Sequence, residues 1–178
     1  MILALDIASS TGWAFGLPGT RPITGTISVD GSLGDRMRYL CGHLHNLIAD
    51  LEPEIIIFEE PWLSAGKGSA KTMRGLICLA GVAEMVAANQ KVQIVETTAD
   101  TWRKHFVGVT TAPRAVKGKA TRRAWIKAIV AQRCAALGWS FSNDDESDAC
   151  GIWDFACSLR SRAHQVHTAP GLFEKTGG

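Results

Sequence analysis

Residues 2–17, ILALDIASSTGWAFGL, decide the fold of this chain. Residues 2–7 form an apolar run interrupted only by Asp6, and residues 13–17 form a second run at hairpin spacing. Residues 9–12, SSTG, predict the turn between them. An acid inside an apolar strand is unfavourable without a partner, so this stretch predicts two strands and singles out Asp6.

The rest of the chain continues in strands and helices. Residues 54–58, EIIIF, have the uninterrupted apolar pattern of a strand buried on both faces, which is typical of the middle of a sheet. A nearly all-round apolar helix over residues 70–88 is expected to be buried in a core or an interface. The pattern also predicts strands over 23–29 and 92–95, and helices ending at Leu51 and over 99–106, 120–137 and 145–160.

This order predicts an α/β fold, a mixed sheet with helices on both faces. With 178 residues and 46% hydrophobic positions, the chain fits one domain, which we expect over residues 1–162, followed by a flexible tail over 163–178. No stretch approaches the ~20 apolar residues of a membrane helix, and no basic leader precedes the first apolar run. We therefore expect a cytoplasmic protein without a membrane partner.

The net charge is only +2, but the charges are segregated along the chain. From Thr101 to Asn143 there is no acid, and the segment holds nine of the nineteen Lys and Arg residues: Arg103, Lys104, Arg114, Lys117, Lys119, Arg122, Arg123, Lys127 and Arg133. This pattern indicates a surface for a polyanion, or a basic helix neutralised by acids elsewhere in the fold.

Acids occur at three places where an apolar strand or a helix meets a turn. Asp6 lies in the first strand, Glu59 and Glu60 follow the central strand, and Asp145 and Asp148 stand three apart at the start of the last helix, so both project from one face. Converging carboxylates with no His or Cys beside them favour Mg²⁺ or Mn²⁺ over zinc. Taken singly, Asp144 or Asp145 could cap the helix and Glu60 or Glu146 could be solvated.

Cysteine and histidine do not predict a metal site. The five cysteines form no C-x-x-C pair, so neither disulfides nor structural zinc are expected. His43 and His45 lie within an amphipathic helix, and His164 and His167 fall in the predicted tail. Surface or packing roles are expected for all four.

Three acidic motifs together resemble those of the RuvC-like Holliday junction resolvases, including their phage and prophage members. They are LALDIASSTGWA, IIIFEEPW and DDESDACGIWDFA, in the family's order, and the resemblance extends through DTWRKHFVG over about residues 1–160. It implies an RNase H-like fold and a homodimer in a bacterial or phage-infected cell. It also implies that Asp6, Glu59, Asp145 and Asp148 bind two Mg²⁺ ions, Mn²⁺ substituting, in an endonuclease that resolves Holliday junctions, forks or flaps and leaves 5′-phosphate ends.

The resemblance also implies DNA contacts. Trp62 occupies the family's base-stacking position, three residues after its glutamate, although a core tryptophan is the alternative. Conserved lysines of the family fall near Arg103 or Lys104 and near Arg122 or Arg123, with the register open by one residue. The predicted DNA-binding set is Trp62, Lys67, Arg103, Lys104, Lys117, Lys119, Arg122, Arg123 and Lys127. The proline-containing loop over 110–119 is longer than in typical members, which leaves substrate preference open.

The sequence is also compatible with three other functions. An RNA-processing nuclease of the same superfamily would use the same carboxylates. A phosphate-binding ATPase of the sugar kinase and actin type has a similar opening turn, DIASSTG, but needs a second domain that 178 residues cannot supply. A DNA-binding module with a decayed site is disfavoured by the four matching acids.

Overall fold

The computed structural model describes residues 1–61, 70–161 and 164. Its elements are β1 (Ile2–Asp6), β2 (Ser10–Gly16), β3 (Ile23–Ser28), α1 (Leu33–Leu51), β4 (Ile55–Glu59), α2 (Ala70–Asn89), β5 (Gln93–Thr97), α3 (Ala99–Val107), α4 (Lys119–Ala136) and α5 (Asp144–Arg160). Within these described residues, no helix combines the length and apolar character needed to cross a membrane.

The strands form one mixed sheet in the order β3-β2-β1-β4-β5. β1 is antiparallel to β2 and parallel to β4, and β4 is parallel to β5. Helices α1 and α2 cover one face, α3 and α5 cover the other, and α4 packs on α5. This confirms the predicted mixed sheet with helices on both faces.

Alternate residues of each strand enter two separate cores because successive strand side chains point to opposite faces. Leu3 and Leu5 of β1 pack under α1 and α2, whereas Ile2 and Ala4 pack under α3 and α5. Asp6 continues the Ile2 and Ala4 series. Its carboxylate therefore belongs to the α5 face of the sheet.

The turn between β1 and β2 is shorter than the sequence predicts. Asp6 pairs with Gly12 in the antiparallel ladder, so the predicted turn residues Ser10, Thr11 and Gly12 are part of β2. The Thr11 hydroxyl accepts from Ala8 N (3.3 Å) and donates to Ala8 O (2.9 Å), which closes the turn over residues 7–9. Local composition misled the prediction because a buried threonine and a strand glycine resemble turn residues.

The apolar sequence of helix α2 predicts burial on all sides, but in the structure only part of its surface is buried. Leu79, Val82, Ala83 and Val86 are buried against the sheet and α1. On the opposite side Ile77 is 47% and Met85 is 48% exposed. Within the described part of the chain, one apolar stripe of this helix is thus left exposed.

Asp154, in the second half of α5, is fully buried between two histidines. Its Oδ2 lies 2.9 Å from His105 Nε2 of α3, and its Oδ1 lies 2.9 Å from His164 Nε2. Gly19 N donates to His164 Nδ1 (2.9 Å), so the ring proton of His164 is on Nε2 and points at Asp154. His164 lies two residues past the expected end of the domain, and its ring is buried in the fold.

Asp154→Asn is expected to lower the free energy of unfolding by about 2 kcal/mol at neutral pH, because an amide cannot accept both histidine bonds. Burial by itself raises the pKa of Asp154, but the bonds from His105 and His164 outweigh it and lower the pKa overall. A lowered pKa stabilises the fold above the unfolded value of about 4, and this stabilisation is lost as the pH falls through the folded pKa. Urea unfolding at pH 7 and pH 3 checks this. An unchanged difference between native and variant at both pH values would contradict it.

Candidate active site

The ends of two neighbouring parallel strands supply the first two carboxylates. β1 ends at Asp6 and β4 ends at Glu59, one strand away at the same edge of the sheet. Glu59 follows Ile55 and Ile57 on the α5 face, just as Asp6 follows Ile2 and Ala4. Both acids therefore face the start of α5.

Gly12 brings α5 close to Asp6. A Cβ at Gly12 would lie 2.1 Å from the carbonyl oxygen of Asp145, so the first turn of α5 rests directly on the backbone of β2. Gly12 is the ladder partner of Asp6, which places this contact beside the β1 carboxylate. Glycine within a strand marks such close approaches of backbone, and here it docks the helix that carries the other two acids.

Helix α5 begins with an asparagine cap. The Asn143 side chain accepts from Glu146 N at 2.9 Å, so neither Asp144 nor Asp145 serves as the N-cap. Asp145 is partly exposed, whereas Asp148 is buried, and its Oδ1 is buried without a hydrogen-bond partner among the described residues. A buried carboxylate oxygen without a partner is unfavourable unless it binds a ligand.

The pKa values of Asp6 and Asp148 are raised by burial and by neighbouring acids. Burial raises the pKa of Asp6 well above its usual value, and Asp148, Glu59 and Asp145 raise it further. Burial also raises the pKa of Asp148 to about 6, with Glu59 and Asp144 adding to the effect while Arg103 and Lys127 oppose it. Asp6 therefore lies within electrostatic range of the three other predicted acids.

Two basic side chains lie among these acids. Lys127 Nζ, on α4, is 3.5 Å from both Asp144 Oδ2 and Asp145 Oδ1. Arg103 Nη2, on α3, is 3.5 Å from Glu59 Oε2. The four predicted acids and Asp144 carry five negative charges when all are ionised, and Lys127 and Arg103 carry two positive charges. The remaining three negative charges attract further cations.

Trp102 positions Glu59. Its ring is fully buried, and Nε1 donates to Glu59 Oε2 at 2.8 Å. A Cβ at Gly151 of α5 would lie 2.5 Å from the Trp102 ring, so this second glycine admits the indole beneath the helix. Both Trp102 and Arg103 contact Oε2, so as far as the described residues show, Oε1 is the oxygen that can take another ligand.

Glu146 is buried and fully engaged, so the expectation of a solvated side chain is wrong for this residue. Its carboxylate accepts from Thr24 Oγ1 (3.0 Å), Thr26 Oγ1 (2.8 Å) and Ser142 N (2.8 Å). These bonds fix the start of α5 to β3. Glu146 therefore holds the helix rather than a ligand.

The donor set fits a hard divalent cation. All the ligands on offer are carboxylate oxygens, and among the described residues Asp148 Oδ1 has no hydrogen-bond partner and the contacts of Glu59 fall on Oε2. Among the described residues, however, no three His, Cys, Asp or Glu side chains already converge tightly enough to hold an ion. Binding would thus require the carboxylates to draw together, with Lys127 and Arg103 giving up part of their contacts.

The predicted DNA-binding residues separate into groups. Lys104, Lys117, Lys119 and Arg123 are exposed, whereas Arg103 and Lys127 reach the acids. Arg122 Nη1 lies 3.3 Å from Pro113 O and 3.4 Å from Val116 O, so its guanidinium binds the loop before α4. Trp62 and Lys67 lie outside the described residues.

Solved structures share this fold. Thermus thermophilus RuvC matches with a TM-score of 0.66 and 14% identity over 94% of this chain and 97% of that one. T. thermophilus RuvC in complex with a Holliday junction substrate matches with a TM-score of 0.62 and 12% identity over 89% of this chain and 94% of that one. The yeast mitochondrial Holliday junction resolvase matches with a TM-score of 0.54 and 14% identity over 93% of this chain and 80% of that one. No protein-family model matches the chain, and no curated protein sequence does. The likeness confirms the predicted RNase H-like fold, as found in RuvC.

Proposed function

We propose that this protein is a divalent-metal-dependent endonuclease that cuts branched DNA such as Holliday junctions. One observation carries the proposal: Asp6 and Glu59 end neighbouring parallel strands, and the start of α5, which carries Asp145 and Asp148, packs against the same edge of the sheet. Arg103 and Lys127 contact acids of this group. The fold that holds this cluster is shared with structures named as RuvC, one of them bound to a Holliday junction, and with a mitochondrial junction resolvase.

Each group at the site has a chemical task in phosphodiester hydrolysis. Two Mg²⁺ ions held by the four carboxylates would activate water and neutralise charge on the phosphate. Arg103 and Lys127 point into the same space, where a cation stabilises the negative charge that develops on phosphate oxygens. Trp102 and Gly12 keep Glu59 and the first turn of α5 in place for this chemistry.

A row of cations leads from solvent to the acids. Lys119, Arg123 and Lys127 are spaced by four along α4, so they lie on one face of the helix, one turn apart. The first two are exposed and the third contacts Asp144 and Asp145. This row supports a path for a phosphate backbone towards the carboxylates, and it favours Arg123 over Arg122 as the DNA contact.

The test is cleavage of a labelled four-way DNA junction compared with a linear duplex of equal length, in Mg²⁺ or in EDTA. We expect cutting of the junction that requires the metal, and an affinity that falls steeply with added salt. A matched RNA junction tests the RNA-processing alternative. Cleavage of the RNA alone, or no cleavage of any branched substrate, would overturn the proposal.

Trp102→Phe is expected to raise the Mg²⁺ concentration for half-maximal cleavage about tenfold, because Glu59 loses a hydrogen bond that orients it. The turnover rate at saturating Mg²⁺ should change less. Trp153→Phe is the matched control, since the buried Trp153 Nε1 has no hydrogen-bond partner among the described residues. Metal titrations of cleavage distinguish the two variants. Equal shifts in both would mean that loss of ring volume, not the bond to Glu59, causes the effect.

We also propose that the chain acts as a homodimer through the exposed stripe of α2. Ile77, Gly81 and Met85 are spaced by four on its outer side, where small and apolar residues allow close packing of a second helix. Ile77→Glu is expected to yield a monomer by sedimentation, because a dimer would bury the added charge. Exposed His43→Glu on α1 is the control. A native monomer at micromolar concentration would refute this assembly.

A further inference from the structure

A basic cavity opens on the other face of the sheet from the carboxylates. Its volume is about 320 Å³, and Ser9, Arg36, Lys71, Thr72 and Leu79 are among the residues that line it. At about 30 Å³ per water molecule, this is room for roughly ten waters, enough for a phosphodiester with part of its sugar. The active-site chemistry described above uses none of these residues.

The chemistry of the lining selects an anion. Arg36 and Lys71 come from two different helices, and the lining that the described residues provide contains no carboxylate. Arg36 Nη1 donates to Ser9 Oγ at 2.8 Å, while its Nε is buried without a hydrogen-bond partner among the described residues. The neighbouring acid Asp35 is engaged at the start of α1 by Ser32 N and Oγ. Among the residues that the structure describes, no acid therefore forms an ion pair with this guanidinium.

The position of the cavity indicates the source of the anion. Ser9 lies three residues after Asp6, so the two Cα atoms are at most about 11 Å apart. At about 3.4 Å of helix axis per nucleotide of one strand, this distance corresponds to about three nucleotides. A DNA strand bound at the carboxylates can thus extend across the sheet edge to the cavity.

We propose that this cavity binds a phosphodiester of the substrate that is not cleaved, within about three nucleotides of the bond cut at the carboxylates. The inference rests on the proposed function, because it assumes a DNA strand at that site. Arg36 supplies a planar guanidinium, Lys71 a flexible ammonium, and Ser9 a hydroxyl, which are common phosphate contacts in DNA-binding proteins. The contact fixes the register of the strand and takes no part in bond breaking.

The experiment measures binding of a fluorescent four-way junction in Ca²⁺, from about 50 to 200 mM salt. We expect Arg36→Gln and Lys71→Gln each to weaken binding about tenfold near physiological salt. Each should also make the slope of the logarithm of the binding constant against the logarithm of the salt concentration shallower by up to about 0.9. The cleavage rate at saturating junction should stay at the native value. Lys71 is exposed, so its variant tests the contact without disturbing the core.

Arg38→Gln is the matched control. Arg38 lies on α1 about 200° around the helix from Arg36 and stacks on Tyr39 at 4.3 Å, away from the cavity. The Arg38→Gln variant should leave the Kd for the junction and its salt dependence unchanged. If native protein binds and cuts junctions while both cavity variants keep the native Kd and slope, the cavity proposal fails and the proposed function stands.

Inorganic phosphate distinguishes a free anion from DNA. If phosphate raises the melting temperature of native protein but not of Arg36→Gln, and neither cavity variant changes junction binding, the cavity takes a small anion and the proposal is overturned. If the native protein neither binds nor cuts any branched DNA, the proposed function fails and this proposal fails with it.

Discussion

Replacing Asp6 with asparagine is expected to reduce junction cleavage at least about a thousandfold and, in EDTA, to raise the melting temperature. Activity falls because the central carboxylate at the end of β1 is lost. Stability rises because the folded chain no longer holds a buried charge that Asp148, Glu59 and Asp145 repel. Single-turnover cleavage and thermal unfolding of the same preparation check both effects.

Asp144→Asn is the matched control for this variant. Asp144 starts the same turn of α5 as Asp145 and contacts Lys127 at 3.5 Å, but its side chain is 58% exposed. We expect cleavage within about tenfold of native, because exposed ion pairs contribute little. Mg²⁺ should stabilise native protein and Asp144→Asn but not Asp6→Asn. Asp6→Asn that cuts at the native rate would remove Asp6 from the chemistry.

Gly12→Ala is expected to lower the free energy of unfolding by about 3 kcal/mol and cleavage by at least about a hundredfold. The added methyl would overlap the backbone of Asp145 and Glu146, neither of which can rotate away as a side chain could. Helix α5 must therefore shift, and Asp145 and Asp148 shift with it. Denaturant unfolding and cleavage under saturating Mg²⁺ measure the two losses.

Gly42→Ala is expected to give the opposite result. Gly42 lies in α1, where an added Cβ meets nothing within 4 Å. Alanine there should stabilise the protein by up to about 1 kcal/mol and leave cleavage unchanged. Native-like stability and activity in Gly12→Ala would show that the close contact of β2 and α5 tolerates displacement.

The strands and the acids of this site could be predicted because their signals are local. A charged residue after a run such as Ile55–Phe58 marks a strand end, and the three-residue spacing of Asp145 and Asp148 marks one helix face. The parallel pairing of β1 with β4 then brings Asp6 and Glu59 to a common edge. Such patterns can be recognised in the sequence because each depends on only a few neighbouring residues.

The residues that hold the acids in place could not be assigned in this way. Gly12 has the composition of a turn, and its role depends on a helix 133 positions later in the chain. Trp102 lies in a basic segment, and only the folded chain brings its indole to Glu59. Asp154 and Glu146 resemble surface acids of a helix, yet both are buried by partners from other elements. The one sequence signal for such a contact is a glycine within a strand, and beside Ser9, Ser10 and Thr11 this glycine has the composition of a turn.

The order of the acids along the chain sets when the site can form during synthesis. Asp6 is made about 140 residues before Asp145 and Asp148. At about 5 to 20 residues per second, a ribosome needs roughly 7 to 30 s to make that stretch. Until α5 emerges, β1 and β4 carry their carboxylates without the helix that completes the cluster. A nascent chain therefore lacks the complete carboxylate cluster until α5 has been made, and we expect the proposed cleavage activity only after that point.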